Sequence, residues 1–175
     1  TTSQPMVMNA DGTGKRAIGT PRVYTDVTPS PDGEYLLMEW LEKPFSYQVP
    51  YYRFPTTTAV FTRDGELVQI IAEQPLADAL PVQGVVTGRR NIQWHPTEDA
   101  LLIWAEAQDG GDPRVESDNR DNLLALAAPF DGEGRVFARL EDRASGSEGI
   151  EGTDDLIVVD YDRDTREGRQ TLVDV

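Results

Sequence analysis

Short apolar stretches separated by turn signals predict that this chain is built of β-strands. Runs rich in Val, Ile, Leu, Thr and aromatic residues end at Asp-Gly, Gly-Gly or proline. Sustained helical periodicity is hard to find. Residues 74–80 (QPLADAL) predict one short helical turn, and residues 121–128 (DNLLALAA) fit either a strand or a helix. The pattern therefore predicts an all-β fold.

One sequence pattern occurs three times along the chain. Residues 27–41 read VTPSPDGEYLLMEWL and residues 92–107 read IQWHPTEDALLIWAEA. A weaker third copy, IEGTDDLIVVD, occupies residues 150–160, and Gly152 is expected at the position of Trp94. In each copy a short strand ends in a turn with Pro or Asp, and an apolar strand follows. This repeat is typical of propeller blades, in which four antiparallel strands run outward from a central channel.

Two further segments predict hairpins that complete the blades. Residues 6–18 (MVMNADGTGKRAI) should turn at Asp11-Gly12, and residues 58–72 (TAVFTRDGELVQIIA) at Asp64-Gly65. The repeats are longer than a usual blade of about 40–50 residues, so we expect inserted loops at residues 45–55 and 109–121.

The blade count predicts a partial β-propeller with about three blades and a half blade. The expected divisions are 1–20 for the outer hairpin of a preceding blade, 21–80, 81–142, and an incomplete blade at 143–175. Closed propellers need about four to eight blades, because an open stack exposes strand edges and an apolar face. We therefore expect the chain to be one part of a longer protein.

Composition narrows the classes of partner. The chain carries 31 acidic and 16 basic residues, for a net charge of −15, and such a surface repels nucleic acid and anionic lipid. We therefore expect no nucleic acid and no membrane as a partner. The absence of cysteine excludes disulfides and thiolate chemistry. No signal peptide is visible at TTSQPMVMN. The compartment stays open, with an exported, periplasmic or extracellular location slightly favoured.

Candidate catalytic groups are sparse, and we predict no catalytic residue, metal site or cofactor. The single histidine, His95, lies in a WHP turn, and residues 145–149 (SGSEG) lack the spacing of a G-x-S-x-G nucleophile elbow. Residues 160–164 (DYDRD) resemble the start of a calcium loop, but Thr165 stands where glycine is needed. A charged hairpin is the better interpretation of that segment.

The segments SPDGEYLLMEWL, FSYQVPYYRFP and AEAQDGGDPR, in this order, resemble one family. It is the prolyl-oligopeptidase-type (S9-like) serine peptidases, in the glutamyl endopeptidase branch, and the resemblance falls in their N-terminal β-propeller. The resemblance implies a propeller that restricts access to a separate α/β-hydrolase domain carrying the catalytic Ser, Asp and His. It implies two partners, that missing C-terminal domain and a peptide substrate, and no activity for this chain alone.

The resemblance also suggests where peptide could bind. A peptidase that selects glutamate needs a cation for the side-chain carboxylate, and arginine supplies one with a bidentate fork. Prolines stiffen the loop at residues 45–55, so its aromatic side chains can be presented rather than collapse. Plain packing, or an arginine paired with local acids, is the alternative. The candidate substrate-binding residues are Arg53, Tyr51, Tyr52, Phe45, Arg89 and Arg90.

Two rival functions stay open at this point. A non-enzymatic propeller resembling TolB, acting as a protein-binding scaffold, would suit the hairpin MNADGTGKR. A structural or lectin-like blade array would use Trp40, Trp94 and Trp104 as a carbohydrate platform, whereas tryptophans on blade strands more often form the core between blades.

Overall fold

The computed structural model describes residues 1–175 and is built from thirteen β-strands and one short helical turn. The all-β prediction is confirmed. None of its helices has the length and apolar character needed to cross a membrane. The strands are β1 (Met6–Val7), β2 (Arg16–Ala17), β3 (Val23–Pro29), β4 (Tyr35–Leu41), β5 (Thr56–Thr62), β6 (Leu67–Gln74), β7 (Arg90–Trp94), β8 (Leu101–Ala107), β9 (Asp121–Ala127), β10 (Arg135–Leu140), β11 (Arg143–Gly149), β12 (Asp155–Asp162) and β13 (Glu167–Asp174).

Every sheet is an antiparallel meander of consecutive strands. Two sheets have four strands, in the orders β3-β4-β5-β6 and β7-β8-β9-β10. A third has three strands, β11-β12-β13, and β1 pairs with β2 in a separate hairpin. This strand order is that of propeller blades, and no sheet closes into a barrel.

The repeated apolar runs form the second strand of each larger sheet. They lie on β4, β8 and β12, and their most deeply buried members are Met38, Leu102 and Leu156, each 0% exposed. A strand with a neighbour on both sides is covered at both edges, which explains why these runs are more continuously apolar than those of the outer strands. The ambiguous segment DNLLALAA is the strand β9.

The helical turn predicted for residues 74–80 is wrong. β6 ends at Gln74, and the backbone N–H of Ala77 donates to the Arg53 carbonyl at 2.9 Å rather than to a helical partner. A single isolated helical turn cannot offset the cost of its own nucleation, so a tertiary bond takes its place. The only helical turn is the 3₁₀ segment Tyr51–Arg53, in the loop between β4 and β5.

The chain divides into two compact units, Thr1–Asp78 and Ala79–Val175. In the first unit, the β1–β2 hairpin packs on the sheet that follows it. Its core is formed by Ile18, Met38, Trp40 and Ala59. Met38 and Trp40 are two positions apart on β4, so both side chains leave the same face of the sheet.

The second unit has its core between the sheet β7–β10 and the sheet β11–β13. The buried members of this core are Ile103, Ala105, Leu123, Ala125, Leu140, Leu156 and Val158. Phe137 and Ala144 pack at its margin. Trp94 and Trp104 are also buried, at 8% and 2% exposure. With Trp40 at 5%, all three tryptophans lie in core positions rather than on an exposed platform.

The turns between the first and second strands share one hydrogen bond in all three larger sheets. The N–H of Ser30, His95 and Ile150 donates to the carbonyl of Tyr35, Leu101 and Asp155, respectively. Because Trp94 precedes His95, its counterpart in the third sheet is the residue before Ile150, which is Gly149. The expectation that Gly152 takes the place of Trp94 is therefore wrong. A Cβ on Gly149 would lie 2.2 Å from Pro96 Cγ, so this position has no room for a side chain.

Candidate functional site

Backbone hydrogen bonds fix the loop between β4 and β5, both at its two ends and within the loop. Its ends are joined by the N–H of Glu42, which donates to the carbonyl of Pro55 at 2.7 Å. Within it, the Arg53 N–H donates to the Pro50 carbonyl at 3.0 Å, and the Arg53 carbonyl accepts from Ala77. Pro50 is in extended conformation and starts the 3₁₀ turn. These bonds hold Arg53 and its neighbours in one conformation.

This loop, residues 42–55, has exposed aromatic rings, and we call it the aromatic loop. Phe45 stacks on Phe54 with ring centroids 5.5 Å apart, and Tyr51 meets Tyr52 edge to face at 6.0 Å. Phe45, Tyr51 and Tyr52 keep 48%, 62% and 71% of their surface exposed, and Tyr47 is fully exposed. Exposed aromatic side chains on a loop fixed by hydrogen bonds are typical of an interaction site rather than of a core.

Arg53 is the candidate cation of this loop. Its side chain is half-buried, and it forms no salt bridge, unlike Arg16, Arg22 and Arg63 of the same unit. Residues 43–55 contain two basic residues, Lys43 and Arg53, and no acidic one, in a chain with a net charge of −15. The guanidinium is therefore available to a carboxylate from outside the chain.

Arg89 is part of a repeated packing arrangement. Its guanidinium lies over the Trp104 ring at 4.5 Å, and the Trp104 indole N–H donates to Glu106 at 2.8 Å. Arg89 Nη2 also donates to the Gly132 carbonyl at 2.8 Å. The first unit has the same arrangement in Arg22, Trp40 and Glu42. The sequence signal, an arginine just before the first strand and Trp-x-Glu at the second, was present but missed.

Arg90 belongs to a buried ionic cluster in the second unit. Its guanidinium contacts the Asp121 carboxylate, which is fully buried. Arg143 joins the two acids of the cluster, donating to Asp109 at 2.6 Å and to Asp121 at 3.0 Å, and Arg120 donates to Asp109 at 2.9 Å. Arg89 and Arg90 are neighbours in sequence but have different partners. This cluster was not foreseen from the sequence.

The arginines of this cluster stabilise the ionised form of Asp109. Burial raises the pKa of Asp109, but hydrogen bonds and charge from Arg143, with Arg120 and the Gly111 N–H adding to them, outweigh burial. The pKa of Asp109 is therefore below its usual value. Asp109 and Asp121 are fully buried, and the three arginines are largely buried, so each charge depends on its partners for solvation.

His95 is a turn residue in the structure. Its ring is fully buried, and Nδ1 accepts hydrogen bonds from the backbone N–H of Glu98 at 3.0 Å and of Thr97 at 3.3 Å. A nitrogen that accepts two N–H groups carries no proton, so the neutral imidazole fits this turn. Burial lowers the pKa of His95, although Asp154 opposes the shift. Ser30 closes the equivalent turn of the first sheet, where its hydroxyl accepts from Tyr35 N–H at 3.0 Å.

The acidic segment at residues 160–164 forms the end of β12 and the start of the hairpin turn to β13. The Asp162 carboxylate accepts from Asp164 N–H at 2.8 Å and from the Thr165 hydroxyl at 2.9 Å. The bond from Asp164 is the main cause that lowers the pKa of Asp162. The structure contains no cluster of three or more His, Asp or Glu side chains placed to hold a metal ion.

Of the candidate residues, the structure places Phe45, Tyr51, Tyr52 and Arg53 on one braced loop. Arg89 and Arg90 lie in the other unit and have internal partners. Whether any of the six contacts a peptide stays a prediction.

The chain is similar to two plant proteins, each named "Probable glutamyl endopeptidase, chloroplastic". It is 41% identical to the one from Oryza sativa subsp. japonica over 150 residues, which cover 83% of the chain. It is 38% identical to the one from Arabidopsis thaliana over 164 residues, or 91% of the chain. The matched regions are 16% and 17% of these longer proteins. No family model matches the chain. The fold and these similarities together indicate an all-β, peptidase-related protein.

Proposed function

We propose that this chain is the non-catalytic β-propeller part of a larger serine peptidase of the prolyl-oligopeptidase type, in the glutamyl endopeptidase branch. It limits which substrates reach a separate α/β-hydrolase domain and helps to bind peptide there. The observation that carries this proposal is similarity at 38–41% identity, across most of the chain, to proteins named glutamyl endopeptidases. A TolB-like scaffold would have the same strand order but gains no support from these similarities.

The arrangement of strands supports the propeller part of the proposal. Consecutive antiparallel strands in sheets of four are the building unit of a propeller, and the second strand of each larger sheet contains a fully buried residue, namely Met38, Leu102 or Leu156. In this interpretation residues 21–80, 81–142 and 143–175 are blades, and the strands β3, β7 and β11 are the innermost strand of each. Polar side chains dominate the exposed positions of these three strands.

Arg53 is the residue that binds the acidic side chain of the substrate in this proposal. Arg53 forms no salt bridge and directly follows the exposed residues Tyr51 and Tyr52 in a segment, residues 43–55, without acidic residues. A glutamate side chain of the substrate could accept two parallel N–H bonds from it, and the rings would exclude water from that pair. Preference for an acidic substrate would then depend on this one residue.

The test uses the full-length parent enzyme with paired peptide substrates that differ only in Glu or Gln at the selected position. Loss of a charge-assisted hydrogen bond costs roughly 1.5–3 kcal/mol. Arg53→Ala should therefore lower kcat/KM by about tenfold or more for the Glu peptide and change little for the Gln peptide. Arg63→Ala is the matched control, because Arg63 is exposed and pairs with Glu34 at 3.2 Å outside the loop.

Equal losses on the Glu and Gln peptides would assign Arg53 a structural role. A similar loss in Arg63→Ala would show that general electrostatics, rather than a contact in the aromatic loop, favours the acidic peptide. Arg53→Lys adds a further check, since it keeps the charge but removes the bidentate fork, and should recover only part of the preference.

A further inference from the structure

A cleft of about 240 Å³ lies in the second unit, between the sheet β7–β10 and the sheet β11–β13. It is separate from the aromatic loop, which belongs to the first unit. Its apolar wall is formed by Ile103, Trp104, Ala105, Leu123, Phe137 and Ala144. Its polar rim is formed by Asn91 and Gln93 of β7 and by Ser145, Gly146 and Ser147 of β11.

The two strands that form the polar rim of this cleft each have an irregular pairing with their neighbour. The pairing of β7 with β8 shifts between Arg90 and Gln93, where Asn91 has a φ of 55°. The pairing of β11 with β12 shifts between Ala144 and Gly146. Such bulges redirect side chains and often occur beside binding sites. A Cβ built on Gly146 meets no atom within 4 Å, so the space beside this strand is empty.

The residues that line the cleft are all uncharged and favour an uncharged ligand. No charged side chain lines the cleft, although the chain as a whole carries a net charge of −15. The rim offers amide and hydroxyl groups that can both donate and accept, and Gln93 Nε2 donates to Ser147 Oγ at 2.6 Å across the two sheets. A charged ligand would lose its hydration here without gaining a partner.

The size of the cleft limits what can enter. Pockets for drug-sized ligands measure about 300–1,000 Å³, and this cleft is smaller. It has room for one aliphatic or aromatic side chain with its flanking amide groups. An apolar side chain would meet the apolar wall, and the backbone amides on either side would meet the rim.

We propose that this cleft binds an apolar side chain of an extended peptide, with the side chains of Asn91 and Ser145 bonding to the neighbouring peptide amides. The proposal rests on the function proposed above only in taking the ligand to be a peptide. It adds a second contact of different chemistry from that of Arg53, so that the chain would recognise an apolar residue as well as an acidic one.

The test uses the full chain, labelled with ¹⁵N, and N-acetyl-leucine-N-methylamide as the probe. A ligand of this size should bind with a dissociation constant of about 1 mM. The Gln93 side-chain amide and the backbone amides of Ser145 and Ser147 should shift during the titration. N-acetyl-glycine-N-methylamide lacks the isobutyl group and should bind at least about tenfold more weakly.

A variant that fills the cleft should block the leucine probe. Gly146 has ordinary backbone angles and open space beside it, so Gly146→Leu should fold and weaken binding at least about tenfold. Gly168→Leu is the matched control, because Gly168 lies on the exposed strand β13, where a Cβ meets its nearest atom at 3.7 Å. Gly146→Ala serves as a milder second variant and should weaken binding less. Circular dichroism would show that each variant is folded.

Three results would overturn the proposal. One is the absence of any shift at Gln93, Ser145 and Ser147 at 20-fold above the expected dissociation constant, that is about 20 mM probe. Another is equal binding of the leucine and glycine probes. The third is an equal loss in Gly146→Leu and Gly168→Leu. None of these measurements uses peptidase activity or Arg53, so the cleft can fail while the proposed function stands, and the reverse.

Discussion

Substitution of Asp109 tests how much the buried ionic cluster contributes to the stability of the second unit. The Asp109 side chain is fully buried, and it accepts hydrogen bonds from Arg143, Arg120 and the Gly111 N–H. Asp109→Asn keeps the shape of the side chain but removes its charge. Arg120 would then lose its salt bridge, and Asp121 would be the one buried carboxylate left for Arg90 and Arg143, so buried positive charge would exceed buried negative charge.

Breaking a buried ion pair by removing one partner costs about 3–5 kcal/mol. Native domains are stable by about 5–15 kcal/mol, so Asp109→Asn should remove a large part of the stability. Asp112→Asn is the matched control. It is the same substitution three residues further along the same loop, where Arg114 lies 2.7 Å from Asp112 and the side chains of Arg114 and Asp112 keep 79% and 27% of their surface exposed. We expect the control to unfold like the wild type.

The assay is urea unfolding at pH 7 with Trp40 replaced by Phe in every variant, so that the fluorescence reports only Trp94 and Trp104 of the second unit. The midpoint for Asp109→Asn should fall markedly without a change for Asp112→Asn. Equal behaviour of the two variants would contradict this prediction, because it would mean that water or new side-chain partners solvate the arginines as well as Asp109 does. A gain in stability for Asp109→Asn would refute it more strongly.

Two further predictions concern the turns of the second unit. Because burial lowers the pKa of His95, the unfolded chain binds a proton below pH 6.5 more readily than the folded one, so stability should fall as the pH drops from 7 toward 5. His95→Ser, which copies Ser30 of the first sheet, should remove this part of the pH dependence in unfolding curves measured at each pH; an unchanged slope would contradict the assignment. Gly149→Ala places a Cβ 2.2 Å from the Pro96 ring and should cost about 1–3 kcal/mol, whereas Gly146→Ala meets open space and should be close to neutral. Thermal melts of the two variants would separate these outcomes, and coincident melts would show that the Pro96 turn moves aside.

The strands were predictable because each carries its own local signal. The run Leu101-Leu102-Ile103 follows a turn and has the length and composition of a buried strand, and the structure places it on β8. The hairpins at Asp11-Gly12 and Asp64-Gly65 were predictable for the same reason. Sequence alignment of the third repeat was less successful, because the His95 turn is one residue longer than that of Ser30 and the third copy has glycine at the tryptophan position.

The ionic cluster could not be predicted because its members are far apart in sequence. Arg90 and Asp121 meet only when β7 and β9 lie in the same sheet, and charged residues of this kind are usually exposed. Asp121 stands at the start of an apolar strand, which is its one unusual feature in the sequence. The packing of Arg89 on Trp104, by contrast, was readable, since Arg22 and Trp40 repeat it.

The aromatic loop was predictable from the sequence in part. Its composition predicted a braced, exposed segment, and the structure shows Tyr51 and Tyr52 exposed on a 3₁₀ turn. What the loop touches in a longer protein depends on residues outside this chain. Peptide binding by this loop stays a prediction, which the paired Glu and Gln substrates test.

Activity-based labelling would show directly whether the reactive serine of the parent lies outside this chain. The full-length parent and the isolated chain would each be treated with a fluorophosphonate, digested, and mapped by mass spectrometry. We expect stoichiometric labelling of one serine of the parent outside these 175 residues, and no labelled serine in the isolated chain. Stoichiometric labelling of Ser145, Ser147 or any other serine within the chain, or a parent that does not react at all, would contradict this expectation.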